Sequence, residues 1–270
     1  HQARDSALTD FTNRIKVEDT IETYDNLDTQ SYSVHHHDAH AWCGYGQSGF
    51  DNAFVISYDG KGDDTCFRTA TYRNKKQITA TNYGYQISSF FKNNAYALDE
   101  VYAENNKGYS LSLAGKIMGM SAYGKSKENN VNSLVIRNRD FHKYRDFQDI
   151  LSGYRIMAQE VLGNDGRFGS FNANHFFQRN PIRKPIEGSD QFRVAATLQS
   201  FFEETIINII KEHFIDDIKL HDNNLILTGG SAMNVLANER IREEFPDINV
   251  YVPPNPEDGG LSVGLMFWKM

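Results

Sequence analysis

Alternating hydrophobic and polar positions predict most of the regular structure in the first third of the chain. Residues 50–58 are apolar and rich in strand formers, whereas residues 65–72 and 77–83 alternate between apolar and polar side chains. Such alternation is typical of half-buried strands, and the polar linker at residues 73–76 has turn composition. We therefore predict a three-stranded antiparallel meander with Asp59 in its first turn.

Helical periodicity and short apolar runs predict the second half of the chain. Between residues 192 and 214, apolar side chains recur every three to four positions, as they do along a helix with one buried face. A short buried strand at residues 224–228 leads into a glycine pair. The same criteria predict helices at residues 86–104, 233–244 and 261–270 and a last strand at residues 250–252. Residues 126–190 are charged, aromatic and weakly patterned, and we interpret them as a mostly helical insertion or lid.

Composition excludes several classes of function. The chain has 270 residues, 40% hydrophobic and 23% charged, which suits one large globular domain or two small ones. The net charge of −7 argues against general nucleic-acid binding, which needs a basic surface. No apolar run reaches the length of a membrane span, so we predict no membrane partner. The two cysteines, Cys43 and Cys66, stand outside any CxxC spacing and indicate reduced thiols in a cytoplasmic protein.

A run of histidines ahead of the first strand is the strongest chemical signal. Residues four apart share one face of a helix, so His36 and His40 can direct two nitrogens at one ion. Asp59, at the end of a predicted buried strand, can supply an oxygen. Two imidazoles with a carboxylate suit a divalent transition metal better than Mg²⁺ or Ca²⁺, which prefer oxygen ligands alone. The alternative is a solvated polar turn.

Two glycine pairs, each before a predicted helix, indicate anion binding. Exposed backbone N–H groups and the helix dipole favour phosphate there, and glycine permits close approach. The first pair and the asparagine that follows could hold a nucleotide or form only a tight turn: Gly229, Gly230 and Asn234. Before the second pair, Gly259 and Gly260, the Asp258 carboxylate could join the metal, position a Mg²⁺-bound phosphate, or simply cap the helix.

Five motifs in a fixed order resemble those of the O-carbamoyltransferases of the nodulation-factor and antibiotic-tailoring type. The motifs are VHHHDAHA (34–41), SGFDNAFVISYDGKGD (48–63), AGKIMGMSAYG (114–124), LTGGSAMNVLAN (227–238) and PPNPEDGGLSVG (253–264). The tRNA threonylcarbamoyl transferases are related and share the His-x-x-x-His spacing and the late aspartate. The wording of the third and fourth motifs favours the carbamoyltransferases.

The resemblance implies an α/β protein with an actin/hexokinase-like fold, built from two ribonuclease-H-like halves. Residues 34–125 and 191–270 would form a metal- and nucleotide-binding domain, and the insertion at residues 126–190 would contact the acceptor. Residues 1–33 would be a lead-in from a truncated first half, as the lack of an initiator methionine also indicates. The family's C-terminal adenylate-forming domain is missing from the sequence as well, so either a partner chain or lost sequence would supply both parts, or this is a reduced protein with only the transfer or binding half.

The resemblance also implies a reaction. A metal, usually iron as Fe²⁺, would be bound by four residues: His36, His40, Asp59 and Asp258. Carbamoyl phosphate and ATP would form carbamoyl-adenylate, from which the carbamoyl group passes to an unidentified acceptor hydroxyl. Asp59 and His37 are the catalytic candidates, His37 for proton transfer or orientation. Lys116 could neutralise phosphate, and the glycine pairs would hold the nucleotide.

Two other functions compete with this one. A catalytically silent nucleotide-binding subunit of a complex is suggested by the missing parts of the family architecture. A tRNA threonylcarbamoyl transferase relative is disfavoured by the acidic balance and by the motif wording. The retention of all four presumed metal ligands favours the enzyme, because a scaffold has no need of them.

Overall fold

A five-stranded mixed sheet is the centre of the part of the chain that the computed structural model describes, which is residues 33–60, 62–85, 87–94, 98, 100–101, 113–126 and 188–270. Its strands are β1 (Asn52–Tyr58), β2 (Phe67–Arg73), β3 (Lys76–Tyr83), β4 (Asn224–Thr228) and β5 (Asn249–Tyr251). They lie in the order β3-β2-β1-β4-β5. The first three form an antiparallel meander, and β4 and β5 continue it in parallel with β1.

Helices cover both faces of this sheet. They are α1 (His36–Ser48), α2 (Ile87–Asn94), α3 (Leu113–Ser121), α4 (Ser189–Ile209), α5 (Ile215–Lys219), α6 (Val235–Glu244) and α7 (Leu261–Lys269). A single π-helical turn, Ile210–Phe214, joins α4 to α5. Two short 3₁₀ turns, Gly230–Met233 and Asp258–Gly260, precede α6 and α7. Within the described ranges, every helix is too short or too polar to cross a membrane.

The central strand β1 is buried on both faces, which explains its nearly continuous apolar sequence. Phe54 and Ile56 face the larger core, where α4 contributes Leu198 and Phe202. The residue between them, Val55, faces a smaller core beneath α1. The sheet is therefore the middle layer of three, with α1 and α4 on opposite sides. Because β1 and β4 are parallel, their carboxyl ends meet at one edge of the sheet.

The predicted meander and the two later strands are confirmed with shifts of one or two residues at their ends. The helix predicted at residues 233–244 is partly wrong, because a 3₁₀ turn comes first and α6 begins at Val235. Asn234 separates the two with a non-helical backbone (φ −76°, ψ 88°), and its side chain caps α6 by accepting from the Ala237 amide. The predicted lead-in at residues 1–33 and the insertion at residues 126–190 lie almost wholly outside the described residues.

Candidate metal centre

Four side chains predicted as metal ligands converge at the edge where β1 and β4 end. The Nε2 atoms of His36 and His40 are 3.1 Å apart. His40 Nε2 lies 3.2 Å from Asp59 Oδ2 and 3.4 Å from Asp258 Oδ1. One ligand atom from each of the four residues lies within 4.8 Å of the others. The helical spacing and the strand-end aspartate therefore place these groups together as predicted.

Three separate stretches of chain supply the four groups. The first turns of α1 carry both histidines, which share a face because they are four residues apart. Asp59 follows β1 directly, and its Oδ2 accepts a hydrogen bond from the Gly230 amide at 3.2 Å. Asp258 enters from the 3₁₀ turn before α7. The loop after β4 thus holds one carboxylate, and the packing of α7 on α1 brings the other.

The donor set fits a bound transition metal. Ligand atoms about 2.1 Å from one metal lie about 3.0 to 3.4 Å from their neighbours in octahedral or tetrahedral geometry. The separations involving His40 Nε2 fall in this range, and His36 Nε2 is slightly farther from the carboxylates, 3.5 Å from Asp258 Oδ1 and 3.7 Å from Asp59 Oδ2. Two imidazole nitrogens with carboxylate oxygens match iron or zinc better than calcium. The four residues could therefore share one ion with little rearrangement.

Charge in this cluster is strongly coupled. Burial of Asp59 by itself would raise the pKa of its carboxyl, but the adjacent His36 and His40 rings and the Gly60 amide together outweigh burial and lower that pKa. The Asp59 carboxylate, 3.7 Å from His36 Nε2, raises the pKa of His36 against the opposing effect of burial. Without metal, Asp59 is therefore an anion next to a histidine that readily accepts a proton. A divalent cation would replace that proton.

The Asp258 carboxylate is not used as a helix cap, which was the alternative interpretation of its sequence position. Glu257 instead caps the 3₁₀ turn before α7, because its side chain accepts from the Gly259 amide at 2.6 Å, and the N-cap of α7 itself is Gly260, which makes no side-chain cap. The Asp258 side chain is 70% exposed, whereas that of His40 is fully buried. Asp258 therefore marks the side of the site that faces solvent.

His37, predicted as a catalytic candidate, is hydrogen-bonded to β1 and to the loop after it rather than to the four candidate ligands. Its Nε2 donates to the Thr65 carbonyl at 3.0 Å, and its Nδ1 accepts from the Ser57 hydroxyl at 2.7 Å. The side chain is fully buried, and burial lowers the pKa of His37 to about 4. A neutral, doubly hydrogen-bonded imidazole of this kind suits the orienting role, and proton transfer by His37 stays a prediction.

The glycine residues predicted to hold a nucleotide have their amides engaged within the protein. The Gly229 amide donates to the Pro256 carbonyl at 2.7 Å, and the Gly260 amide donates to the Glu257 carbonyl at 2.8 Å. Gly229 also has a left-handed φ of +87°, and a Cβ there would lie 2.4 Å from the Tyr58 carbonyl oxygen. This geometry favours the tight-turn interpretation, and nucleotide binding by the glycine pairs stays a prediction.

Two further predicted nucleotide contacts occupy different surroundings. Asn234 is buried, and besides capping α6 it exchanges two hydrogen bonds with the Gln199 amide at 2.9 and 3.0 Å. Lys116 lies on α3, which packs against α4 and α2. The structure therefore joins Asn234 to the helix core and places Lys116 on another element than the histidines.

Two acidic residues after β1, Asp63 and Asp64, also contact the histidine run, and neither was among the predicted site residues. The Asp63 carboxylate accepts from the His36 amide, and the Asp64 carboxylate lies 2.8 Å from the His35 ring. The signal was a pair of acidic residues directly after Gly62. No local rule connects such a pair to a helix 27 residues earlier.

Both cysteines are free thiols, and the cytoplasmic location stays a prediction.

Comparison with known proteins identifies a family model and several relatives that this chain matches. Residues 9–266 match the family model described as the carbamoyltransferase N-terminus. The chain is 26% identical over 240 residues to nodulation protein NolNO of Sinorhizobium fredii, covering 86% of this chain and 30% of that protein. It is 24% identical over 238 residues to nodulation protein NolO of Bradyrhizobium diazoefficiens, covering 86% of this chain and 37% of that protein.

Solved structures give a weaker likeness. Full-length HypF in its phosphate- and nucleotide-bound form superimposes with a TM-score of 0.42 at 14% identity, over 91% of this chain and 44% of that chain. The curated relatives are also much longer, since the chain spans about a third of their length.

Proposed function

This chain belongs to the carbamoyltransferase N-terminus family, and from that premise we propose that it forms the metal centre of a carbamoyltransferase. The carbamoyl group would come from carbamoyl-adenylate, formed from carbamoyl phosphate and ATP. It would pass to the hydroxyl group of an acceptor. The partner chain or domain that makes the adenylate belongs to the same proposal.

The observation that carries this proposal is the convergence of two imidazoles and two carboxylates at one edge of the sheet. We propose Fe²⁺ as the metal, because two histidines with one carboxylate form the ligand set of many non-haem iron sites. The residues that would hold it are His36, His40, Asp59 and Asp258. When bound, the metal would polarise the carbamoyl carbonyl and stabilise the negative charge that develops on its oxygen.

The candidate metal centre has a buried side, formed by His40 and Asp59, and a solvent-exposed side, formed by Asp258. His40 is fully buried and Asp59 is held by the Gly230 amide, so the protein side of the site is rigid. Asp258 is the most exposed of the four ligands, which leaves the donor and acceptor to approach from its side. Asp59 is anionic and would offset part of the metal charge without needing to lose a proton.

The order of strands supports the finer fold assignment. We infer that the meander followed by two parallel strands is one ribonuclease-H-like half of an actin/hexokinase-like protein. In such a sheet, ligands bind beyond the carboxyl ends of parallel strands, and the candidate metal centre lies there. The nucleotide part of the proposal rests on family membership, because the amides of the glycine pairs are already hydrogen-bonded.

Metal content tests the proposal directly. Wild-type protein and the double variant His36→Ala/His40→Ala are purified anaerobically, and their metals are counted by plasma mass spectrometry. We expect about one equivalent of iron in the wild type and none in the double variant, because two of the four ligands are removed. His213→Ala, which removes an exposed histidine on the π-helical turn, is the matched control and should keep its metal.

A second measurement connects the metal to chemistry. Metal-loaded wild type supplied with carbamoyl-adenylate should release AMP faster than the double variant under the same conditions. A wild type that stays free of metal after loading with Fe²⁺ or Zn²⁺ would contradict the proposal, and the silent nucleotide-binding subunit would then be the better interpretation.

A further inference from the structure

The N-terminus of the histidine helix α1 is held by a loop from the sheet as well as by its own cap residue. Ser, Thr, Asp and Asn are the usual capping residues, yet the cap position here is His35, whose ring accepts from the His37 amide at 3.2 Å. The backbone amide of His36, the first residue of α1, donates to Asp63 Oδ2 at 2.8 Å. A carboxylate at this position also interacts favourably with the helix dipole.

The loop that provides Asp63, residues 62–65, is itself fixed at three points, and we name it the latch loop. The Asp64 carboxylate lies 2.8 Å from the His35 ring and accepts from the side-chain amide of Asn82 on β3 at 2.9 Å. The Thr65 hydroxyl donates to the Tyr83 carbonyl at 2.8 Å. The latch loop is therefore tied to the edge strand of the sheet, which makes it a rigid support.

His37 closes the contact between the latch loop and α1. Its ring spans from Ser57 on β1 to the Thr65 carbonyl of the latch loop. The ring also packs so closely on Gly62 that a Cβ there would lie 2.5 Å from it. These contacts bracket the one helical turn that carries the two histidine ligands, so a shift of the latch loop would rotate or translate both imidazoles.

We propose that Asp63 is a positioning residue for the metal centre. Asp63 is not one of the four candidate ligands. It acts by fixing the first turn of α1, so that the His36 and His40 nitrogens lie close to Asp59 and Asp258. This inference rests on the proposed function, because it requires that the four groups bind a metal. Outer contacts that orient metal ligands commonly change metal affinity by about 10- to 100-fold when removed.

The test compares Asp63→Ala with Asp63→Asn in the full chain, with Co²⁺ alone as the probe. Alanine removes the acceptor for the His36 amide, whereas asparagine keeps an acceptor oxygen without the charge. We expect Asp63→Ala to weaken Co²⁺ binding by at least about 10-fold and to alter the visible absorption spectrum of the bound ion. Asp63→Asn should stay within about 3-fold of wild type and keep the wild-type spectrum, since the hydrogen bond to the helix is retained.

Asp216→Ala is the matched control, because it removes an exposed carboxylate from α5 and changes the net charge equally. It should bind Co²⁺ as the wild type does. Equal losses in Asp63→Ala and Asp63→Asn would overturn the positioning role and assign the effect to the charge of the carboxylate. Wild-type affinity and spectrum in Asp63→Ala would overturn the inference while leaving the metal centre intact. If wild-type protein binds no Co²⁺, both the inference and the proposed function fail.

Discussion

Three consecutive histidines have three different environments, because each helical step turns the side chain by about 100°. His35 caps the helix and pairs with Asp64 at the surface. His36 faces the two aspartates of the candidate metal centre, and its pKa is raised chiefly by the nearby Asp59 carboxylate. His37 is buried against the sheet, and its pKa is lowered by burial. At the residue scale, position on the helix rather than residue type decides which histidine can bind a metal.

The depressed pKa of His37 predicts a pH dependence of stability. The pKa is about 4 in the folded protein, against 6.5 for an unperturbed histidine. Between these values the unfolded chain binds a proton at this residue that the folded protein does not bind. The free energy of unfolding should therefore fall as pH drops from 6.5 to 4, by up to about 3 kcal/mol, and this contribution should level off below pH 4.

Urea unfolding at several pH values, with EDTA present to exclude metal, measures this loss. His37→Gln is the control, because glutamine keeps two hydrogen-bonding groups and does not titrate. Its stability curve should be flatter than that of the wild type between pH 6.5 and 4. Parallel curves for the two proteins would mean that His37 is protonated in the folded state as easily as in the unfolded chain.

Elements with a strong local signal were predicted well, and those that depend on distant contacts were not. β1 and α4 have long apolar patterns, and both were predicted with small shifts at their ends. The pair His36 and His40 was predicted from spacing alone. The roles of Asp63 and Glu257 were missed, because Asp63 accepts from the first amide of a helix that is distant in sequence and Glu257, rather than Asp258, caps the 3₁₀ turn before α7. Tertiary packing determines which acidic residue accepts from which backbone amide.

The crossing of α1 and α7 shows how packing at the element scale places a ligand. A Cβ on Gly264 of α7 would lie 1.8 Å from the Ala39 carbonyl oxygen of α1, and one on Gly46 of α1 would lie 2.2 Å from Phe267. The helices therefore approach through glycine, where a side chain has no room. Because Asp258 directly precedes α7, this close approach brings its carboxylate to the histidines of α1.

Gly264→Ala should push α7 away from α1. We expect it to lower the free energy of unfolding by about 1 to 3 kcal/mol, because overpacking forces a shift of the backbone. Co²⁺ affinity should fall as well, since Asp258 moves with the helix. Urea unfolding and Co²⁺ titration measure the two effects. Ser262→Ala, an exposed substitution on the same helix, is the control, and equal stability of the two variants would show that the α1–α7 contact tolerates a methyl group.

At the scale of the whole molecule, the candidate metal centre joins stretches that the chain keeps far apart. Two of the candidate ligands lie on the helix that covers the smaller core, one follows the central strand, and the last lies in the 3₁₀ turn before α7. A bound ion would therefore crosslink both helices of this layer to the sheet, and its binding energy would add to the stability of the fold.

Metal should consequently stabilise the folded chain, by an amount that rises with the logarithm of the free-ion concentration once this exceeds Kd. At a Co²⁺ concentration of 100 times Kd, the free energy of unfolding should rise by about 2.7 kcal/mol over the value in EDTA, because the unfolded chain lacks the assembled site. Urea unfolding with and without Co²⁺ measures the increase, and His36→Ala/His40→Ala should show none of it. An equal increase in that double variant would place the stabilising ion elsewhere on the chain, and the four converging groups would then be a network of hydrogen bonds and ion pairs rather than a metal centre.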